Sequence, residues 1–334
     1  MKKIFFLLVM AVSTITMSAQ SVALNHEGTS TIFYGAQSLS QAYAQAVDGD
    51  VLYISGGSYG NLTVEKKLKI YGTGVNPNNT GATGISELGE LYVRSTGSEC
   101  HIEGIKASSI KLNRAEYVTI RYCHVGEVYA WLAHNLLMYN NIVWHAVRLG
   151  DTCRMDRAAE LSNGCVISNN YIQNGLHRCR ENTIVNNIFR NKGVGDDFNS
   201  YSYELVAEAS VVENNIFASN PGGYGTWCAG NNTVRKNITY WYEGADDNYG
   251  VGSNKNAEIF VDYDQSDFSF DKDMHLKEPT KYIGTDGTEV GIYGGLFPWN
   301  TEVMPSNPHI MSNTSGTKTN SEGKLLLNVE VSAQ

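Results

Sequence analysis

Proline is scarce in this chain, with six residues in 334, and no apolar run is long enough to cross a bilayer as a helix. Together with 33 glycines and a hydrophobic content of 42%, the scarcity of proline fits a β-rich globular protein. No basic stripe rises above a net charge of −9, which argues against a nucleic-acid partner. Cys-x-x-Cys is missing, so zinc and dithiol chemistry have little support. The acidic run Asp262, Asp264, Asp267, Asp271 and Asp273 lacks the glycine of a Ca²⁺ hand. No nucleophile elbow, phosphate loop, His-Glu-x-x-His or dinucleotide fingerprint appears.

Residues 1–19 have the order of an export signal: Lys2-Lys3, an apolar run from Ile4 to Val12, then Met17-Ser18-Ala19. The mature chain is therefore expected outside the cytoplasm, soluble and monomeric. Six cysteines stand at 100, 123, 153, 165, 179 and 228. Cys100 and Cys123 fall inside strand patterns and read as core residues. Export permits pairing within the 153–179 group, and sequence leaves the connectivity open.

What the chain does have is an internal repeat. Asn140-Asn141-Ile142-Val143, Asn169-Asn170-Tyr171-Ile172, Asn186-Asn187-Ile188-Phe189 and Asn214-Asn215-Ile216-Phe217 recur, each after a short β-prone segment. A weaker copy is Lys236-Asn237-Ile238-Thr239, and degenerate copies upstream put Cys123 and Gly104 in the slot of the second Asn. One short strand per unit cannot bury its apolar side alone, whereas stacked units do, each pairing with the next at roughly 4.8 Å. Asn suits the corner of such a stack. It tolerates a left-handed backbone, and its amide both donates and accepts, so successive copies can form a ladder. The fold expected is all-β: a parallel β-helix (solenoid) over 20–297 with an N-terminal helical cap, then a linker and tail strand over 298–334. Ser38 to Val47 is the cap helix, with Ser38 as its N-cap. The alternating stretch Lys324 to Val331 is the tail strand, expected to pack back on the helix flank.

A resemblance enters at Ser38 to Gly72. A Ser-Leu helix, Val-Asp-Gly-Asp-Val, a Gly-Ser-Tyr turn and a Lys-x-Leu-x-Ile-x-Gly strand resemble the N-terminal cap and first coil of the pectate-lyase-like superfamily. The Asn-Asn units resemble its Asn ladder, and Asp273 to Gly295 resembles the terminal coil of secreted bacterial members. The resemblance implies a right-handed helix. It leaves activity open, because the superfamily includes lyases, hydrolases, epimerases, esterases and non-catalytic proteins.

Outward residues of stacked coils line up in stripes. Counting from the second Asn, the third and fourth positions hold Trp144 and His145, Gln173 and Asn174, Arg190 and Asn191, Tyr240 and Trp241. Rings stack on sugar faces while amides and guanidinium forks bind hydroxyls and carboxylates. Between Arg148 and Lys192, seven basic residues stand against four acids, with His145 and His177 beside them. This local excess of positive charge in an acidic chain points to an acidic ligand such as uronate, and solvated loop charge explains it equally well. The expected substrate contacts are Trp144, His145, Trp241, Tyr240 and Arg178. Lys192, Arg190 and His177 are the candidate bases for β-elimination, and Asp196 with Asp197 the candidate calcium ligands. The Gly-x-Gly-Asp-Asp around that pair faintly resembles polygalacturonases, whose remaining motifs are missing here. Two function classes follow: a protein that binds, and in its catalytic form cleaves, an acidic polysaccharide; or a non-catalytic surface or adhesion module whose scaffold presents loops.

Overall fold

The computed structural model describes residues 20–150, 161–190, 205–218, 227–228, 231–239, 247–251, 256–263, 268–300, 303–306, 308–315 and 319–332. The expected export signal at 1–19 lies outside these.

Successive repeats pair side by side and in parallel. One column of partners runs Tyr53, Tyr71, Glu103, Arg121, Tyr139, Ser168, Val185, Glu213, Arg235, each residue in register with the next. These strands build an 11-stranded sheet, and the strands that follow the Asn corners build a second, 15-stranded one. The middle residue of each short strand points inward, giving the buried column Leu52, Ile70, Ile102, Ile120, Met138, Ile167, Ile184, Val212. Burying each such side chain stabilises the stack by about 1.5–3 kcal/mol, which one repeat alone has no means of gaining. Antiparallel strands occur at the two ends. At the start, β1 (Ser21–His26) pairs with β2 (Thr29–Tyr34) and with β3 (Val51–Ile54). At the end, His309–Asn313 pairs with Val329–Ser332.

The cap helix α1 spans Ser38–Gln45 and lays Leu39 and Ala42 against the first strands. Its N-cap residue is Gln37 rather than Ser38, whose side chain turns into the core at 0% exposure. The tail also differs from expectation. Its strand pairs with His309–Asn313, and Leu325, Leu326, Leu327, Val329 and Val331 stay exposed instead of packing on the stack.

The two asparagines of each repeat have separate jobs. The first takes the left-handed corner: φ is 56° at Asn140, 55° at Asn169, 56° at Asn186 and 59° at Asn214. Tyr122, Lys236 and Asp247 occupy the same slot at 52°, 54° and 62°. The second faces inward. Asn141, Asn170, Asn187, Asn215 and Asn237 each pass an Nδ2 hydrogen bond of 2.9–3.0 Å to the next Oδ1. The ladder continues to Asn248, a rung the sequence pattern does not reveal because Asp247 stands where an Asn was sought. Gly104 belongs to the corner slot, with φ of 69°. Ile105, whose carbonyl accepts from His124 N–H, is therefore the true counterpart of the second Asn.

Residues 273–295 are not a further coil. Segment 268–300 contains isolated bridges but no strand, and it crosses the outside of the Asn corner as a strap. There it covers the outward column Ile142, Tyr171, Ile188, Ile216, Ile238, forming a second core with Met274, Leu276, Val290, Ile292 and Trp299. The first asparagines fasten it. Asn169 Nδ2 donates to Ile292 O (2.8 Å) and Gly294 O (2.7 Å), and Asn214 Oδ1 accepts from Thr285 N–H (2.8 Å). Gly295 takes φ of 77°, and a Cβ there would lie 2.8 Å from Asn186 Oδ1, so only glycine fits this approach.

Candidate functional site

Beyond the strap, the outer face of the second sheet holds several of the residues expected to bind a ligand. Backbone bonds from Trp144 N–H to Val125 O (3.0 Å), Gln173 N–H to Val143 O (2.9 Å) and Arg190 N–H to Ile172 O (2.8 Å) stack Gly126, Trp144, Gln173 and Arg190 in one column. Val143, Ile172 and Phe189, which precede the last three, point into the inner core. Alternation therefore turns the next side chain outward. His145 and Asn174 form the neighbouring column, linked through Asn174 N–H to His145 O at 2.9 Å.

The imidazoles bracket Asn174. Its Nδ2 lies 3.5 Å from His145 Nδ1, and His177 Nε2 donates to its backbone oxygen at 3.3 Å. His145 is exposed, whereas His177 is 9% exposed. Trp144 stacks on His124 with centroids 5.5 Å apart and planes at 27°. Burial, helped by the nearby Lys106 ammonium, pushes His124 down to about 4, so its ring is neutral near pH 7 and meets Trp144 as a flat apolar surface.

Much of the positive charge on this face is already matched. Arg148 pairs with Glu127, Lys106 with Glu87 at 2.7 Å, and Lys111 with Glu90 at 2.5 Å. Arg178, held at φ 64°, donates to Gly150 O at 2.9 Å, so this expected substrate contact has one guanidinium nitrogen engaged by the backbone. Some polar atoms lack partners instead. Among the described residues, buried His124 Nε2, Trp131 Nε1, Gln173 Oε1 and Asn174 Oδ1 have no hydrogen-bond partner. Such atoms are uncommon in folded proteins, because leaving them dry costs stability.

The structure thus brings Trp144, His145 and Arg190 onto one face and joins His177 to it through Asn174. Tyr240, Trp241, Lys192, Asp196 and Asp197 lie outside the described residues. Among those that are described, no group of three or more His, Cys, Asp or Glu side chains is placed to hold a metal ion. Sequence reasoning missed Tyr129 and Trp131, in register with Lys111 and Asn113 on the rung before. Arg114 lies over the Trp131 ring at 5.2 Å. Their signal was the alternation in Val125-Gly126-Glu127-Val128-Tyr129-Ala130-Trp131, legible only once its register was known.

No family model, curated protein or solved structure matches this chain. The functional reading therefore rests on the face itself.

Proposed function

We propose that the protein is an exported, monomeric right-handed parallel β-helix that binds an extended acidic polysaccharide along the outer face of its second sheet. The observation that carries this reading is the registered column of Trp144, Gln173 and Arg190 beside His145 and Asn174. Successive rungs are roughly 4.8 Å apart, so a polymer lying along the stack meets ring, amide and guanidinium in turn. Rings take up sugar faces, amides take hydroxyls, and Arg190 takes a carboxylate. Tyr129 and Trp131 extend the face towards the N-terminal end.

Proton abstraction α to a uronate carboxylate needs an unprotonated base. His177 Nε2 donates to Asn174 O, so the basic nitrogen of its neutral ring would be Nδ1. The non-catalytic surface or adhesion module is the second reading. A lyase would draw its base from Lys192, Arg190 or His177, with Asp196 and Asp197 holding calcium against the substrate carboxylate.

The test is retention on polygalacturonate and alginate columns against a neutral glucan, with absorbance near about 235 nm recorded for unsaturated products. Retention on the acidic polymers, weakened in Trp144→Ala, is expected. Absorbance growth that a chelator abolishes would establish the lyase. The absence of retention on every polymer sinks the glycan reading.

A further inference from the structure

Four residues on the outer face of the first sheet stand in one row across its N-terminal strands. Ile32 is in register with Ala23, Ala23 with Tyr53, and Tyr53 with Tyr71 on the strand Lys69–Tyr71. Val22, Leu24, Leu52 and Ile54 are buried in the core, so alternation turns Ala23 and Tyr53 outward. The two tyrosine rings stack, with centroids 5.6 Å apart and planes at 16°. The stack then breaks off, because the next residue in the row beyond Tyr53 is Ala23, with only a methyl group. Ile32 follows, two strands from Tyr53 and so roughly 9.6 Å away across the sheet. These four residues line a cavity of about 290 Å³, to which the segment after the strap contributes Pro308 and Ile310. Tyr53 is 36% and Ile32 52% exposed, so the cavity is open to solvent.

Among the described residues no charged side chain lines this cavity. Its hydroxyls are largely committed to the fold. Thr73 Oγ1 donates to Gly84 O at 2.7 Å and accepts from Ser86 N–H at 3.1 Å, and Ser55 Oγ accepts from Ser21 N–H at 3.0 Å. A sugar entering here would give up water around hydroxyls that find few new partners, and an ion would lose more. What the cavity offers is tyrosine, aliphatic side chains and room for one ring, since ligand sites start at about 300 Å³. We propose that it binds a small uncharged aromatic molecule, whose ring lies over Ala23 beside Tyr53. The ligand continues the stack at the interval that Tyr53 and Tyr71 already set, within the range of ordinary ring pairs. The site is separate from the face assigned to polysaccharide and does not depend on that reading.

The test is a saturation-transfer NMR titration of the full mature chain with p-cresol, p-hydroxybenzoate and methyl glucoside at neutral pH, together with thermal midpoints. p-Cresol should bind in the millimolar range or tighter, as a ligand of its size allows. The anion and the sugar should bind at least about tenfold more weakly, for want of partners. Ala23→Leu fills the notch from an outward position and should abolish p-cresol binding with a midpoint within a few degrees of the parent. Tyr53→Leu keeps an apolar wall without the ring and should weaken binding about fivefold. Ile32→Glu sits on the outermost strand of the sheet and sets a carboxylate at the rim, which should weaken p-cresol binding several-fold. No saturable p-cresol binding by the parent chain overturns the proposal, and so does methyl glucoside binding equally well. Undiminished binding in Ala23→Leu places the ring elsewhere and also overturns it. Should Ala23→Leu unfold, Ile32→Glu decides in its place, with weakened binding in support and undiminished binding against. Retention on acidic polymers should be the same in all three variants, so the failure of either reading leaves the other standing.

Discussion

The carboxylate of Glu103 accepts a hydrogen bond at 2.6 Å from the backbone N–H of Ser306, and so ties the segment that follows the strap to an early rung of the stack. Glu103 is 0% exposed and also accepts from His101 Nε2 at 2.6 Å and Arg121 Nε at 2.8 Å. Arg121 reaches onward to Tyr139 Oη (2.7 Å) and Ser306 Oγ (2.9 Å), and the Tyr139 ring stacks on Phe297 at 4.3 Å.

Glu103→Gln removes the charge that compensates Arg121 and disturbs the seat of Ser306. Breaking a buried pair from one side costs about 3–5 kcal/mol; with Arg121 still 21% exposed, a loss near the lower figure is expected. Denaturant unfolding measures it. Limited proteolysis should show new cleavage between residues 296 and 308 before the stack itself opens. Unfolding and cleavage indistinguishable from the parent would mean that the strap is held elsewhere.

Two acid windows follow from two displaced groups. His124 sits at about 4 instead of 6.5, so between those values the unfolded chain takes up a proton that the fold refuses. Stability then falls with pH by up to about 1.4 kcal/mol per unit. Glu103 lies below its ordinary 4.5. Burial pushes it up, but the bonds from His101, Arg121 and Ser306 outweigh that. Its contribution is complete above 4.5 and is lost as pH falls from there through the lower value of the folded state. Unfolding curves at stepped pH should show His124→Phe flattening the first window and Glu103→Gln the second.

Adjacent asparagines should give opposite answers to the same substitution. Asn140 is needed for its backbone, with φ of 56° and an Oδ1 without a partner, so Asn140→Gly should be nearly neutral. Asn141 accepts from Cys123 N–H at 2.9 Å and donates to Ile120 O, Tyr139 O and Asn170 Oδ1. Asn141→Gly leaves several buried groups unpaired, each costing about 1–3 kcal/mol. Thermal unfolding of the pair decides; equal losses would refute the division of labour.

Among the described residues, Cys100, Cys123, Cys165 and Cys179 are buried thiols, and Cys153 lies outside them. Burial pushes the Cys100 thiol up to about 11 and those of Cys123 and Cys165 to about 12. A thiolate reagent should therefore leave these thiols untouched at pH 8 in the native protein and label all four after denaturation. Mass spectrometry of labelled peptides reads the outcome.

The amino-acid order alone determined the repeat, the inward face of each short strand and the polar rungs, because alternation and corner chemistry act within a few residues. It was legible in Asn141-Ile142-Val143 and its copies that both apolar positions would be buried. That they are buried in different places was not. Val143 enters the inner core, while Ile142 is buried because residues from Met274 to Trp299 cross over it. Tertiary structure also decided that Asp273 to Gly295 covers the stack rather than extending it, and that Arg178 bonds to the backbone of Gly150. Such outcomes depend on which distant segment arrives at a given surface, and no local pattern encodes that arrival.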